Sequence, residues 1–138
     1  GLRPEQFGLE VTESVFTGGY NVINERLGKL MEIGVKTAID DFGTGYSTLA
    51  REQNIKTDIL KIDKTFIDGL LNAPRDKTIT QDIIALAHRG GHAVIAEGVE
   101  YPEKKQYLLD FDCDMMQGYL FSRPLDEDAA MELLNAQG

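Results

Sequence analysis

The chain has 138 residues, with 14 Lys and Arg against 23 Asp and Glu, one Cys, no Trp and 42% hydrophobic residues. That length suffices to bury a core without disulfides or structural metal, and a single cysteine excludes an internal disulfide. The net charge of −9 argues against nonspecific binding to a nucleic-acid polymer, yet permits a phosphate ligand wherever cations sit between carboxylates and phosphate. Apolar runs reach only four to five residues, as in Ala93-Val-Ile-Ala96, so no segment is expected to span a bilayer. The start, Gly1-Leu-Arg-Pro-Glu-Gln6, does not read as a signal peptide. The expectation is a cytoplasmic globular domain that makes no direct membrane contact.

A strand-then-helix rhythm runs along the chain. Phe7 to Ser14 reads as a strand with Phe7, Leu9 and Val11 on one face. A helix is expected over 21–33, with Ile23, Leu27, Leu30 and Met31 as its apolar stripe and Gly34 as a left-handed stop. Val35 to Ile39 is the second strand, running into Asp40-Asp41 and a glycine-bearing loop, and Ser47 to Gln53 suits a short helix. Ile59 to Ile62 is the third strand. Thr78 and Gln81 have the spacing of a capping box for a helix ending at Gly90-Gly91. Ala93 to Ala96 is the fourth strand, and Pro102 opens a helix to about Asp110. A weaker fifth strand covers Met115 to Gly118. Asp126 then caps a last helix that is expected to bury Ala130, Leu133 and Leu134. Such alternation implies an α/β fold with a parallel sheet, and the near-continuous apolar central strands suggest a sheet covered on both faces.

The acidic residues fall at the strand ends. Glu10 and Glu13 lie in or after the first strand, Asp40 and Asp41 after the second, Asp63 after the third, and Glu97 and Glu100 after the fourth. Gln117 sits in the fifth. In a parallel sheet these ends share one side, where α/β folds build their sites. Converging carboxylates repel one another unless a hard divalent cation lies between them. Two such cations are the standard arrangement for in-line hydrolysis of a phosphodiester. Lys61 is the lone cation in the set, suited to hold a carboxylate or to lower the proton affinity of a bound water.

Blander readings exist for single residues. Acidic groups near strand ends often cap the next helix, and Asp63-Lys64-Thr65 also fits a turn with a solvated charge. His88 suits a helix C-terminus better than a metal, and Cys113 reads as a small buried apolar residue. The glycines of Phe42-Gly-Thr-Gly-Tyr-Ser47 fit either a sharp turn or a flap over the site.

Five runs together resemble the EAL-type cyclic di-GMP phosphodiesterase domain of bacterial signalling proteins. They are Leu9-Glu-Val-Thr-Glu-Ser14, Ile39-Asp-Asp-Phe-Gly-Thr-Gly-Tyr-Ser-Thr-Leu49, Leu60-Lys-Ile-Asp-Lys-Thr-Phe-Ile67, Ile95-Ala-Glu-Gly-Val-Glu100 and Cys113-Asp-Met-Met-Gln-Gly-Tyr-Leu-Phe-Ser-Arg-Pro-Leu125. The resemblance implies that Glu10, Asp40, Asp41 and Glu97 are ligands of two Mg²⁺ or Mn²⁺ ions, with Asp40 bridging. It further implies that Lys61 assists the attacking water beside Asp40 and Glu97, and that Gln117 lines the metal and substrate site. Glu13 would anchor the loop from Asp41 to Leu49, which in this family links dimerisation to activity. Glu100 would support Glu97, and Asp63 falls in the same outer layer. The implied reaction is hydrolysis of one phosphodiester bond of cyclic di-GMP to give linear pGpG.

The Glu-Ala-Leu signature is absent from the sequence, and the family's metal-binding asparagine also belongs to an earlier strand. The family fold is a TIM-type barrel of about 250 residues and eight strands. Residues 1–138 are therefore expected to be the C-terminal part of an EAL domain, with about five of the eight strands. The open edges of such a part predict a homodimer or another association, or poor stability alone. The isolated chain is expected to turn over little cyclic di-GMP. It is also compatible with the cytoplasmic portion of a larger, membrane-linked signalling protein. Two other functions remain open from the residues: a degenerate EAL domain that senses cyclic di-GMP without cleaving it, and a protein-interaction module that uses no nucleotide.

Overall fold

The computed structural model describes residues 1–43, 55–72 and 78–137. The short helix expected over 47–53, and most of the loop expected to follow Asp41, lie outside these residues. Strands β1 (Gly8–Thr12), β2 (Lys36–Phe42), β3 (Ile59–Ile62), β4 (Ala93–Ala96) and β5 (Met115–Met116) form one sheet in chain order. Every pairing is parallel. Helices α1 (Tyr20–Glu32), α2 (Lys64–Asp68), α3 (Ile79–Arg89), α4 (Pro102–Asp110) and α5 (Glu127–Gln137) lie between and after the strands. The α/β architecture expected from the sequence is the one observed.

Strand parity separates the two faces of the sheet. Ile39, Leu60, Ile62, Val94 and Ala96 share one face and join Leu27 of α1, Ile83, Ile84 and Ala87 of α3, and Tyr107 and Leu108 of α4 in the core. On the opposite face the register aligns Glu10 with Ala38, Ala38 with Ile59, and Lys61 with Ile95. Residues of one parity point the same way, so this face carries Glu10, Asp40, Lys61, Glu97 and Gln117. Ile59 and Ile95 on it are only partly buried, and Met115 is exposed. The central strands read as apolar runs, but helices cover just one of their faces among the described residues.

Several local expectations change. The first strand stops at Thr12, and Glu13–Gly18 turns as a 3-10 segment. Of the three residues expected to share one face, Phe7 and Leu9 are exposed, whereas Val11 packs against the core. Helix α1 ends as expected, with Gly34 at φ 96°. At α3 the Thr78 side chain caps nothing. Its hydroxyl instead pairs with that of Tyr107 on α4, so the capping box does not form. Asp126 caps α5 through its side chain at 3.0 Å from Ala129 N. Leu134 of α5, expected to be buried, is 62% exposed, because that side of the helix meets no part of the core. Helix α2 was not foreseen. Its five residues are too few for an apolar period to show.

Candidate metal and phosphate site

The site begins with an irregularity in β2. Ile39 pairs with Leu60 and Phe42 with Ile62, so Asp40 and Asp41 together face the single residue Lys61. This is the geometry of a β-bulge, which re-aims side chains and often lies beside a functional site. Asp41 adopts φ 55°, a left-handed conformation that aspartate tolerates better than most residues. In a regular strand the two neighbours would point to opposite faces. With the bulge, one oxygen each from Asp40, Asp41 and Glu97 lie within 4.8 Å of one another. Expected just after the strand, both aspartates lie within it, before its last residue Phe42.

Lys61 is the centre of the cluster. Its side chain is 7% exposed, and Nζ lies 2.7 Å from Glu10 Oε2, 2.7 Å from Glu97 Oε1 and 3.3 Å from Asp40 Oδ1. Burial disfavours its ammonium, but hydrogen bonds to Glu10 and Glu97 and the charge of Glu97 outweigh that, so its pKa rises above the usual lysine range. Asp41 is held above the usual carboxylate range, first by the charge of Asp40, then by burial and by Asp63, with Lys61 opposing. A cation has therefore not fully compensated the aspartates, and the donors are all hard carboxylate oxygens. That set fits a hard divalent ion such as Mg²⁺, Mn²⁺ or Ca²⁺.

The remaining residues singled out in the sequence fall around this centre. Glu10 reaches Lys61 from mid-strand and stands outside the three-carboxylate group. Asp63 caps α2, its Oδ1 accepting from Thr65 N at 2.9 Å and from the Thr65 hydroxyl. Those bonds hold Asp63 below the usual carboxylate range, and its carboxylate also meets Asp41. It is thus both the turn residue that the bland reading suggested and a neighbour of the site. Glu13 is buried at 8% exposure in the 3-10 turn after β1, while the loop residues it was expected to anchor lie outside the described ones. Gln117 follows β5, its backbone bonded to Ala96 O and Val99 N, and its side chain is exposed. Glu100 accepts from Lys64 Nζ at 3.0 Å, so its ion-pair partner belongs to α2.

Glycine is required beside the site. A Cβ on Gly118 would lie 2.2 Å from Val99 O, and Gly98 adopts φ 71° against the stem of Lys64. The first contact brings the segments after β4 and β5 together beside Glu97 and Gln117, and the second sets the start of α2 against the segment after β4. Away from the site, His88 pairs with Asp114 at 2.8 Å. Cys113 is buried, which together with its surroundings pushes the thiol up to about 11.

A family model described as the EAL domain matches residues 1–124. The chain belongs to the EAL domain family. It is 44% identical over 136 residues to cyclic di-GMP phosphodiesterase NbdA of Pseudomonas aeruginosa, an alignment covering 99% of this chain and 17% of NbdA. Among solved structures, the PaMucR phosphodiesterase in complex with c-di-GMP superposes with a TM-score of 0.84 at 36% identity, over 94% of this chain and 52% of that one. The manganese and cy-diGMP complex of Klebsiella pneumoniae BlrP1 at pH 6 superposes with a TM-score of 0.77 at 35% identity, over 90% of this chain and 32% of that one. The chain therefore spans about a sixth of the length of the curated relative and about half or less of these solved chains. These EAL structures are TIM-type barrels, and the five parallel strands match part of them. No described helix is long and apolar enough to cross a membrane.

Proposed function

We propose that residues 1–138 are the C-terminal part of an EAL domain that hydrolyses cyclic di-GMP to linear pGpG with two divalent cations, Mg²⁺ or Mn²⁺. The observation that carries this reading is the bulge that turns Asp40 and Asp41 together toward Glu97, with Lys61 buried among them. The complexes of PaMucR with c-di-GMP and of BlrP1 with manganese and cy-diGMP support the ligand and the metal class. Exposed side chains along the edge strand β1 support a further part of the barrel, or another chain such as a second copy, lying against it.

In this reading Asp40, Asp41, Glu97 and Glu10 would hold the cations. Bound metal would supply a water of lowered pKa and neutralise charge on the phosphate. Lys61 fixes the carboxylates of Glu10, Asp40 and Glu97, and release of one of these three contacts would free an N–H for a water. Gln117, at the end of the neighbouring strand, lines the substrate side, while Asp63 and Glu100 steady the elements that bear the ligands. Glu13 would anchor the loop after Asp41. The domain would work in the cytoplasm, where its substrate class is a soluble dinucleotide.

The test is turnover of cyclic di-GMP by the complete domain that contains these residues, with Mg²⁺ or Mn²⁺. Conversion to pGpG that is lost in Asp40→Asn and in Glu97→Gln is the expected result. Binding without conversion would instead make the domain a sensor. Neither binding nor conversion would leave the interaction-module reading. The isolated 138 residues are expected to bind the cation and turn over little.

A further inference from the structure

Four side chains form a ladder beside the site. Lys104 of α4 is 4% exposed, and its Nζ donates to Asp68 Oδ1 at 2.7 Å. The same oxygen accepts from Lys64 Nζ at 3.0 Å, and Lys64 also donates to Glu100 Oε1 at 3.0 Å. The Lys64 stem packs on Gly98, where an added Cβ would lie 2.4 Å from its Cγ. The segment from Glu97 to Glu100 is thus gripped by Lys64, the first residue of α2, next to the N-cap Asp63 that meets Asp41.

Lys104 is a poor choice for stability alone. Burial costs a lysine much of its hydration, and its place in the first turn of α4 sets a cation against the positive end of the helix dipole. Replacing a buried ion pair with well-packed apolar groups is often neutral or stabilising. A methionine would fill the same space without either cost. What only the ammonium supplies is the link through Asp68 to Lys64 and a contact over the Tyr101 ring, 5.4 Å from its centroid.

Resting on the function proposed above, we infer that Lys104 is a positioning residue of the carboxylate site, holding Glu97 in place through Asp68 and Lys64. The plainer alternative is that it only fastens α4 to α2. The two differ in what Lys104→Met does to the 138-residue chain. Positioning predicts little change in the urea midpoint. It also predicts amide exchange about tenfold faster at Glu97 and Val99, whose N–H groups bond to Ile62 O and Gln117 O, with the Leu60 and Val94 amides unaffected. Mn²⁺ affinity by titration calorimetry would fall about tenfold, the lower end of the range for residues that orient metal ligands.

A folded Lys104→Met chain with unchanged exchange at Glu97 and Val99 and unchanged Mn²⁺ affinity would overturn the inference. So would a lowered urea midpoint with neither local effect. If the unsubstituted chain binds no Mn²⁺, that counts against the proposed function, and the exchange comparison alone then decides this inference. Should Lys104→Met not fold, Asp68→Asn breaks the same link from its exposed end and is read by the same two measurements.

Discussion

At the N-terminal ends of the strands, Asp58 Oδ2 accepts from Thr37 N at 2.8 Å, and Lys36 lies 3.6 Å from its other oxygen. Asp114 Oδ2 likewise accepts from Val94 N at 2.8 Å and meets His88 at 2.8 Å. At the C-terminal ends, Glu10, Asp40 and Glu97 converge on one ammonium, and Asp41 adds a fourth carboxylate against Asp40. The residue types are similar and the outcomes opposite. One end gives each acid a backbone N–H and a basic side chain of its own, Lys36 for Asp58 and His88 for Asp114. The other end gathers more negative charge than its lysine offsets, an arrangement that favours a cation from solution. The contrast matches the division of parallel barrels into a stability face and an active face.

Three measurements test this contrast. Saturating Mn²⁺ is the largest: at a hundredfold excess over Kd it should stabilise the chain by about 2.7 kcal/mol. Asp40→Asn should abolish most of that gain, and Asp114→Ala should leave it intact. Equal gains in both variants would place the ion elsewhere.

Removing one cation from the crowded end comes next. Lys61→Met should lower metal-free stability by about 1–3 kcal/mol, because the carboxylates left behind are partly solvated. Urea unfolding in chelator reads it, and added Mn²⁺ should recover part of the loss. A Lys61→Met chain as stable as the parent would mean that the carboxylates do not repel as argued.

The smallest effect is in pH. Asp114 is held below the usual carboxylate range: burial pushes it up, but the bonds from His88 and Val94 N prevail. Its folded pKa thus lies under its unfolded one, so its contribution is present above the unfolded value and lost as pH falls through the folded value. Asp41 has the opposite sign: raised in the fold, it costs stability as pH rises through its titration. Acidification from pH 7 to 3 should therefore destabilise the parent more than Asp114→Asn, by about 0.5–1 kcal/mol given the half-exposed side chain. Parallel curves would remove Asp114 from the ledger of stabilising charges.

Sequence pattern was enough for the order of strands and helices. The apolar runs at 59–62 and 93–96 and the helix at 102–110 read directly, because burial periodicity and a proline at the first helical position are local signals. It was also enough to set the acidic residues at one end of a parallel sheet. Less legible were the capping of α3 and the fate of Leu134, since each depends on groups distant in sequence: Tyr107 for the first, and for the second a core that among the described residues packs nothing of α5.

Residue types and their spacing by themselves determined the α/β class and the set of acidic candidates around Lys61, while the family entered through the resemblance of five runs and the family match. Tertiary structure alone decided that the carboxylates of Asp40 and Asp41 come together beside Glu97, because a bulge is a mismatch between two strands and has no signature in either one. It also decided that Lys104, an ordinary helix lysine by its neighbours, is buried on Asp68 and tied to the segment bearing Glu97. Charge repulsion and burial are properties of assembled groups, so only the folded sheet could gather scattered carboxylates around one buried lysine.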